Sequence, residues 1–134
     1  MKSKGKGEKA ILNIWKKWYP LRRFEGQTFV KGHAIRQYSD MRVYLDVQPQ
    51  GNDTVVAEDG KRRFANIISY GKAMIRVENV DAGILGDWLW YEGAWYECKS
   101  SLMYEHTPLA HYTCTFVLVT EAVADDAKLP PEAS

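Results

Sequence analysis

The segment from Trp88 to Cys98 constrains the fold more than any other part of the sequence. It consists of two short runs of aromatic and apolar residues, 88–91 and 94–98, on either side of Glu92-Gly93. A two-residue connection that contains Gly between two such runs is typical of a tight β-hairpin, because Gly adopts the positive φ that the turn requires. We therefore predict antiparallel strands here.

This hairpin has two apolar faces, because cross-strand neighbours share a face when Glu92 and Gly93 form the whole loop. One face carries Trp88, Trp90, Trp95 and Glu97, and the other carries Leu89, Tyr91, Tyr96 and Cys98. We expect the second face to fill the core. The Trp side chains exceed what a small monomer usually exposes, so we expect them to meet another sheet or another subunit. The candidate subunit interface is Trp88, Trp90 and Trp95.

Alternating apolar and polar residues predict the other strands. Met41 to Val47 alternates cleanly and ends at Pro49, which cannot donate a ladder hydrogen bond. Thr54 to Ala57 and Arg63 to Ile68 flank a Glu58-Asp59-Gly60 turn, which predicts a long hairpin. The remaining pieces are a β-prone stretch from Ala73 to Val77, a connection from Val80 to Gly86 and a last strand from Tyr112 to Val119.

The N-terminal region shows a helical period instead. From Glu8 to Trp18 the apolar residues recur every three or four positions, which predicts a short amphipathic helix stopped by Tyr19-Pro20. The fold class is therefore mainly β: a small antiparallel β-barrel or sandwich with a short N-terminal helix and flexible ends. The predicted organisation is a basic arm with the helix at 1–27, the β domain at 28–121 and an acidic, Pro-rich tail at 122–134.

Length and composition bound the class of protein. The chain has 134 residues, of which 46% are hydrophobic, so one globular domain fits and a second does not. No apolar run approaches the roughly 20 residues that span a bilayer, and the basic start is not followed by the apolar stretch of a signal peptide. We expect no membrane partner, and synthesis in a cytosol. The two cysteines are expected to be reduced and buried, with a bridge as the less favoured alternative.

Chemistry-bearing motifs are absent from the sequence. It contains no GxSxG, HExxH, GxxxxGK[ST], GxGxxG or CxxC pattern, so we expect a protein that is not an enzyme and carries no cofactor. A Cys/His metal site could be drawn from His106, His111, Cys98 and Cys114, but structural zinc sites use tighter pairs, and we expect no metal. Asp87 precedes a strand, where a carboxylate commonly accepts backbone hydrogen bonds, so we expect it to be structural.

Basic side chains mark the N-terminus. The candidate electrostatic arm comprises Lys2, Lys4, Lys6 and Lys9, and its partner is either a nucleic acid or an acidic protein surface. Together with the five Trp and eight Tyr of the chain, this arm motivates an alternative function, an OB-like or SH3-like nucleic-acid-binding module.

A family resemblance covers residues 41–119. The residues that carry it are, in order, Val47-Gln48-Pro49, Asp59-Gly60-Lys61-Arg62, Ile67-Ile68-Ser69-Tyr70, the run from Gly86 to Glu97, and His111-Tyr112. In their order and spacing they resemble the head-closure, or stopper, proteins of tailed bacteriophages. The longer basic start of this chain departs from that family, which leaves a stopper, a collar and a tail-completion role open.

This resemblance implies a structural role in the virion. It implies a β-barrel subunit that forms a hexameric or dodecameric ring in the head-tail neck, assembled in the bacterial host cytoplasm. The implied partners are copies of itself, a portal or adaptor protein, a tail protein and the packaged DNA that passes through the channel. The candidate loop for the lumen or for docking a neighbour comprises Gln50, Gly51, Asn52, Asp53, Glu58, Asp59 and Gly60.

Overall fold

Antiparallel strands make up most of the structure. The computed structural model describes residues 16–57, 59–104, 111–120, 128 and 130. Its strands are β1 Lys17–Val30, β2 His33–Pro49, β3 Thr54–Val56, β4 Arg62–Phe64, β5 Asn66–Gly71, β6 Trp88–Tyr91, β7 Ala94–Tyr104 and β8 His111–Leu118. Six of them form the main sheet, in the order β1-β2-β5-β8-β7-β6, and β3 and β4 pair separately. The predicted mainly β fold is confirmed.

The outer strands of the main sheet also pair with each other. Two residue pairs join β1 to β6, Leu21 with Leu89 and Arg22 with Trp88. By contrast, β1 pairs with β2 along its whole length. The strand order therefore returns to its start through a short contact.

The core lies on the inner face of the main sheet. It takes alternate residues from the strands, since side chains along a strand point to opposite faces. Its buried members are Leu21, Val43, Leu45, Val47, Ile67, Ile75, Leu89, Tyr96, Cys98, Cys114, Phe116 and Leu118. Burial of each large apolar side chain contributes about 1.5–3 kcal/mol, so this set dominates the stability of the fold.

The hairpin from Trp88 to Cys98 has the predicted register. Trp88 pairs with Glu97, Leu89 with Tyr96 and Trp90 with Trp95. The turn has φ values of 51° at Glu92 and 81° at Gly93, as a two-residue hairpin loop requires. The face of Leu89, Tyr91, Tyr96 and Cys98 lies in or against the core, as predicted. The alternating strand that ends at Pro49 and the last strand are also confirmed, as β2 and β8.

The predicted helix is wrong where the structure describes it. Lys17 and Trp18 lie in β1, and Pro20 is inside that strand, opposite Arg42. Pro20 is tolerated because β6 pairs with β1 only at Leu21 and Arg22, so the missing N–H breaks no long ladder. β1 also crosses the predicted boundary between residues 27 and 28, while residues 8–15 lie outside the described part. No described segment forms a helix that could cross a bilayer.

Two further predictions need correction. The segment from Ala73 to Val77 forms no strand, although Ile75 is buried in the core. Among the described residues, no strand pairs with this segment. The long hairpin around residues 58–60 is short, with three residues in each of β3 and β4, and β5 then pairs elsewhere, with β2 and β8.

Beyond the main sheet, β1 and β2 continue as a two-stranded ribbon, residues 25–38. Among the described residues, β1 past Arg22 pairs with β2 alone. The ribbon turns at Lys31 and Gly32, whose φ values are 51° and 80°. Its exposed apolar side chains are Phe29, 74% exposed, and Ile35, 36% exposed.

Candidate interaction surfaces

The predicted Trp interface is largely covered by the chain itself. Trp88 is 2% exposed and Trp95 5% exposed, and Trp90 is half-buried against Trp95 with ring centroids 5.0 Å apart. With Phe24, whose ring meets that of Trp88 at 4.9 Å, they form a second apolar cluster on the outer side of the hairpin. A neighbouring subunit could reach Trp88 and Trp95 only after this cover had moved. Among the described residues no second sheet covers these two side chains, and their role in a subunit interface stays a prediction.

Arg22 provides much of that cover. Its guanidinium lies 4.1 Å from the ring centroid of Tyr38 and 4.5 Å from that of Trp95, and the residue is 1% exposed. Its Nε and Nη2 donate to the two carboxylate oxygens of Asp40 at 2.8 and 2.9 Å. A planar guanidinium can stack on rings and grip a carboxylate at once, which a lysine cannot do. Arg22 thus ties β1, β2 and β7 together.

Two described residues of the C-terminal segment, Lys128 and Pro130, are held by the fold or buried in it. Arg22 Nη1 donates a hydrogen bond to the carbonyl of Lys128, and Pro130 is fully buried. The flexible tail expected for residues 122–134 stays a prediction, with Lys128 bonded to Arg22 and Pro130 buried among its described residues. The rest of residues 121–134 lies outside the described part of the chain.

Asp87 is a structural carboxylate, as predicted, although its partners are distant in sequence. It is 1% exposed and accepts hydrogen bonds from Arg23, whose Nη2 lies 2.8 Å away, and from the backbone N–H of Arg76 at 2.9 Å. Arg23 also donates to the carbonyl of Met74. This network fixes the segment before β6 against β1 and compensates the buried charge.

The predicted lumen or docking loop is exposed and lies beside the β6–β7 turn. Gln50, Gly51, Asn52 and Asp53 are exposed, as are Asp59 and Gly60, whereas Glu58 lies outside the described residues. Two contacts hold β4 in place: Arg63 donates to the carbonyl of Glu92, and the Tyr96 hydroxyl donates to the carbonyl of Phe64 at 2.8 Å. The β3–β4 hairpin is therefore anchored at its base, while Val56 is 60% exposed.

Within this hairpin Asp59 stabilises the turn. Its carboxylate accepts hydrogen bonds from Arg63 Nη2 at 2.6 Å and from the backbone N–H of Lys61 at 3.0 Å. The hydrogen bond from Arg63 is the main cause that lowers the pKa of Asp59, and the bond from Lys61 adds to it. The role of these loop residues in docking remains a prediction.

An exposed aromatic patch lies where the helix was predicted. Trp18 is 58% exposed and pairs across the strands with Tyr44, 38% exposed, with ring centroids 5.2 Å apart. The guanidinium of Arg42 lies 5.2 Å from the Trp18 ring, on the same face of the sheet. The period of two in Trp18, Pro20 and Arg22 could have indicated this strand, but the apolar residues before Trp18 suggested a helix.

The two cysteines lie together in the core. Both are buried and free, and they share a side-chain hydrogen bond. That bond, with burial, raises the pKa of Cys98, and it lowers the pKa of Cys114 to about 7. Cys114 also donates to Ser101 Oγ at 3.5 Å. His111 instead lies near the Tyr70 ring, and His106 is outside the described residues. Within the described ranges, no three His, Cys, Asp or Glu side chains are grouped to hold a metal ion.

The candidate electrostatic arm cannot be placed on these surfaces, because Lys2, Lys4, Lys6 and Lys9 lie outside the described residues. The chain matches no protein-family model. No curated protein matches its sequence either.

Proposed function

We propose that the chain is a non-enzymatic structural subunit of the head-tail neck of a tailed bacteriophage. In this proposal it forms a ring that joins the portal or adaptor to the tail and helps to retain packaged DNA. The closed strand order supports a small barrel over a sandwich as the body of the subunit.

The distribution of exposed apolar side chains carries the proposal. Phe29 on the ribbon, Val56 on β3, and Met74 and Val80 before β6 are between 60% and 76% exposed. Val56, Met74 and Val80 lie outside the main sheet, and Phe29 lies on the part of β1 that pairs with β2 alone. Exposed apolar side chains on several elements fit a subunit that contacts more than one neighbour.

The residues of the family resemblance support the same proposal by their positions. Gln48 and Pro49 end β2, Gly60 lies in a turn with φ of 80°, and Glu92-Gly93 is the turn of the strongest hairpin. Each piece thus occupies the strand end or turn that its chemistry suits.

A gene disruption tests this function in the phage that encodes the chain. Electron microscopy of lysates should show filled heads that leak DNA or lack tails, and the wild-type gene supplied in trans should restore joined particles. Infectious, tailed particles produced in normal number without the protein would overturn the proposal.

The Trp18–Tyr44 patch favours a second candidate, single-strand nucleic-acid binding. Exposed rings beside Arg42 could stack bases, and such stacking contributes about 1–3 kcal/mol per base. The anisotropy of a labelled oligothymidylate should then report binding that weakens steeply with salt. Trp18→Ala should weaken it at least about tenfold. Phe29→Ala, which removes an exposed ring elsewhere, should leave the affinity unchanged. The absence of measurable binding by the wild type would rule out this second function.

A further inference from the structure

A groove of about 770 Å³ lies between residues 74–85 and β7 at Ser101. Its walls are mostly apolar, with Met74, Val77 and Val80 exposed by 62%, 43% and 76%. Glu78 and Asp81 line it as well, against one basic residue, Arg76. The groove therefore combines an apolar floor with a small excess of negative charge.

One edge of β7 beside this groove has no strand partner in the described part of the chain. β6 pairs with β7 only as far as Glu97, while β8 pairs with the other edge up to Tyr104. An open edge of this kind presents backbone N–H and C=O groups to an incoming strand. The exposed side chains of Leu102 and Met103, 57% and 45% exposed, extend the apolar surface along it.

The ribbon has the complementary properties. Among the described residues its β1 strand pairs with β2 alone from Gly26 to Val30, so the β1 edge of the ribbon is the open edge that matters here. Phe29 near its end is 74% exposed, and Lys31 at the turn is exposed and basic. From Gly26 to the turn the ribbon extends about 17 Å, enough to reach across a neighbouring strand and place Phe29 in a groove.

We propose that the ribbon of one copy docks in the 74–85 groove of the next copy, with Phe29 between the apolar walls and Lys31 facing Glu78 and Asp81. The open edge of the ribbon pairs with the open edge of β7. Ribbon and groove are different patches of one chain, so the contact is head-to-tail and repeats until a ring closes. This inference rests on the proposed ring and specifies the contact that builds it.

A charged residue at the ribbon tip tests the contact, because weaker association between copies lowers the mass of the assembly that is measured. Phe29→Glu removes the apolar anchor and adds a negative charge opposite Glu78 and Asp81. We expect the apparent association constant between copies to fall about 30-fold, the loss that corresponds to a 2 kcal/mol hot spot. Val117→Glu is the matched control, since Val117 is 38% exposed on β8, outside the ribbon and the groove, and it should assemble as the wild type does. Light scattering after gel filtration measures both, and assembly of Phe29→Glu like the wild type would overturn the proposal.

Cysteine cross-linking between two variants tests the ribbon–groove contact independently of whether a ring forms. A Phe29→Cys chain mixed with a Val80→Cys chain should form a disulfide-linked pair under a mild oxidant, and Phe29→Cys mixed with Val56→Cys should not. The native cysteines are buried and should give no cross-link in the wild type. A ring without the Phe29–Val80 cross-link overturns this contact and leaves the proposed function standing. A cross-link found in a closed dimer supports the ribbon–groove contact and overturns the proposed ring. A chain that stays monomeric at every concentration overturns both the contact and the ring.

Discussion

Arg22 is the side chain whose role in the structure differs most from what its sequence context indicates. It stands next to Arg23 in the sequence, where two adjacent basic residues are usually exposed, yet it is 1% exposed between Tyr38 and Trp95 and paired with Asp40. Sequence alone could not identify this, because Asp40 is 18 residues away and Trp95 is brought near by strand pairing. Apolar members of the core such as Leu89 and Tyr96 were predictable because the Glu92-Gly93 turn sets the register that places them on one face.

Loss of the Asp40 carboxylate should destabilise the fold, because it leaves the buried guanidinium of Arg22 without its counter-charge. We expect Asp40→Asn to lower the free energy of unfolding by about 2–4 kcal/mol in urea denaturation. The control is Asp59→Asn, in a solvent-exposed pair with Arg63, which should cost much less. Equal effects of the two changes would contradict the structural role of Arg22.

Buried tyrosines should make the fold sensitive to alkaline pH. Burial raises the pKa of Tyr96, and that of Tyr19, from 10.0 to about 12. The folded chain then holds protons that the unfolded chain releases, so this stability is complete below pH 10 and is lost as pH rises towards 12. Urea denaturation across this range should show the decline, and Tyr96→Phe should make it shallower. An unchanged pH dependence in Tyr96→Phe would refute this assignment.

At the scale of strands and turns, the sequence predicts best where one face is buried. β2 shows a period of two because one of its sides faces the core, whereas the Trp88–Cys98 hairpin, with two apolar faces, was predicted from its turn. The prediction failed at Trp18, where β1 carries aromatic residues on both faces and a helical period arises by coincidence. The ribbon was missed for a different reason: Lys31-Gly32 is a turn signal, but the flanking strands are exposed and have no apolar alternation.

The turn of the Trp88–Cys98 hairpin contains backbone strain at Glu92 that a substitution can relieve. Glu92 has φ of 51°, a conformation that costs a residue other than Gly or Asn about 1–2 kcal/mol. Asn is favoured before Gly in such turns, so we expect Glu92→Asn to raise the free energy of unfolding by about 0.5–1 kcal/mol. Thermal and urea denaturation would measure this gain in the free energy of unfolding. Glu78→Asn, at an exposed position without positive φ, should change stability by less than about 0.5 kcal/mol. A loss of stability in Glu92→Asn would contradict this reading of the turn.

For the whole molecule, the fold class followed from local patterns but the surfaces did not. The sequence indicated an excess of Trp and the need for a cover, and the structure shows that the cover of Trp88 and Trp95 comes from the same chain. Exposed apolar surfaces among the described residues include the ribbon, the β3–β4 hairpin, the 74–85 groove and the Trp18–Tyr44 patch. Their exposure depends on which strands pair, and pairing between distant segments cannot be read from local periodicity.

Native mass spectrometry of the purified chain, measured over a range of concentrations, tests the proposed ring most directly. The account predicts that the 15.4 kDa chain gives one dominant assembly of six or twelve copies at high concentration, which dissociates on dilution. A chain that remains a monomer at the highest concentration would contradict it.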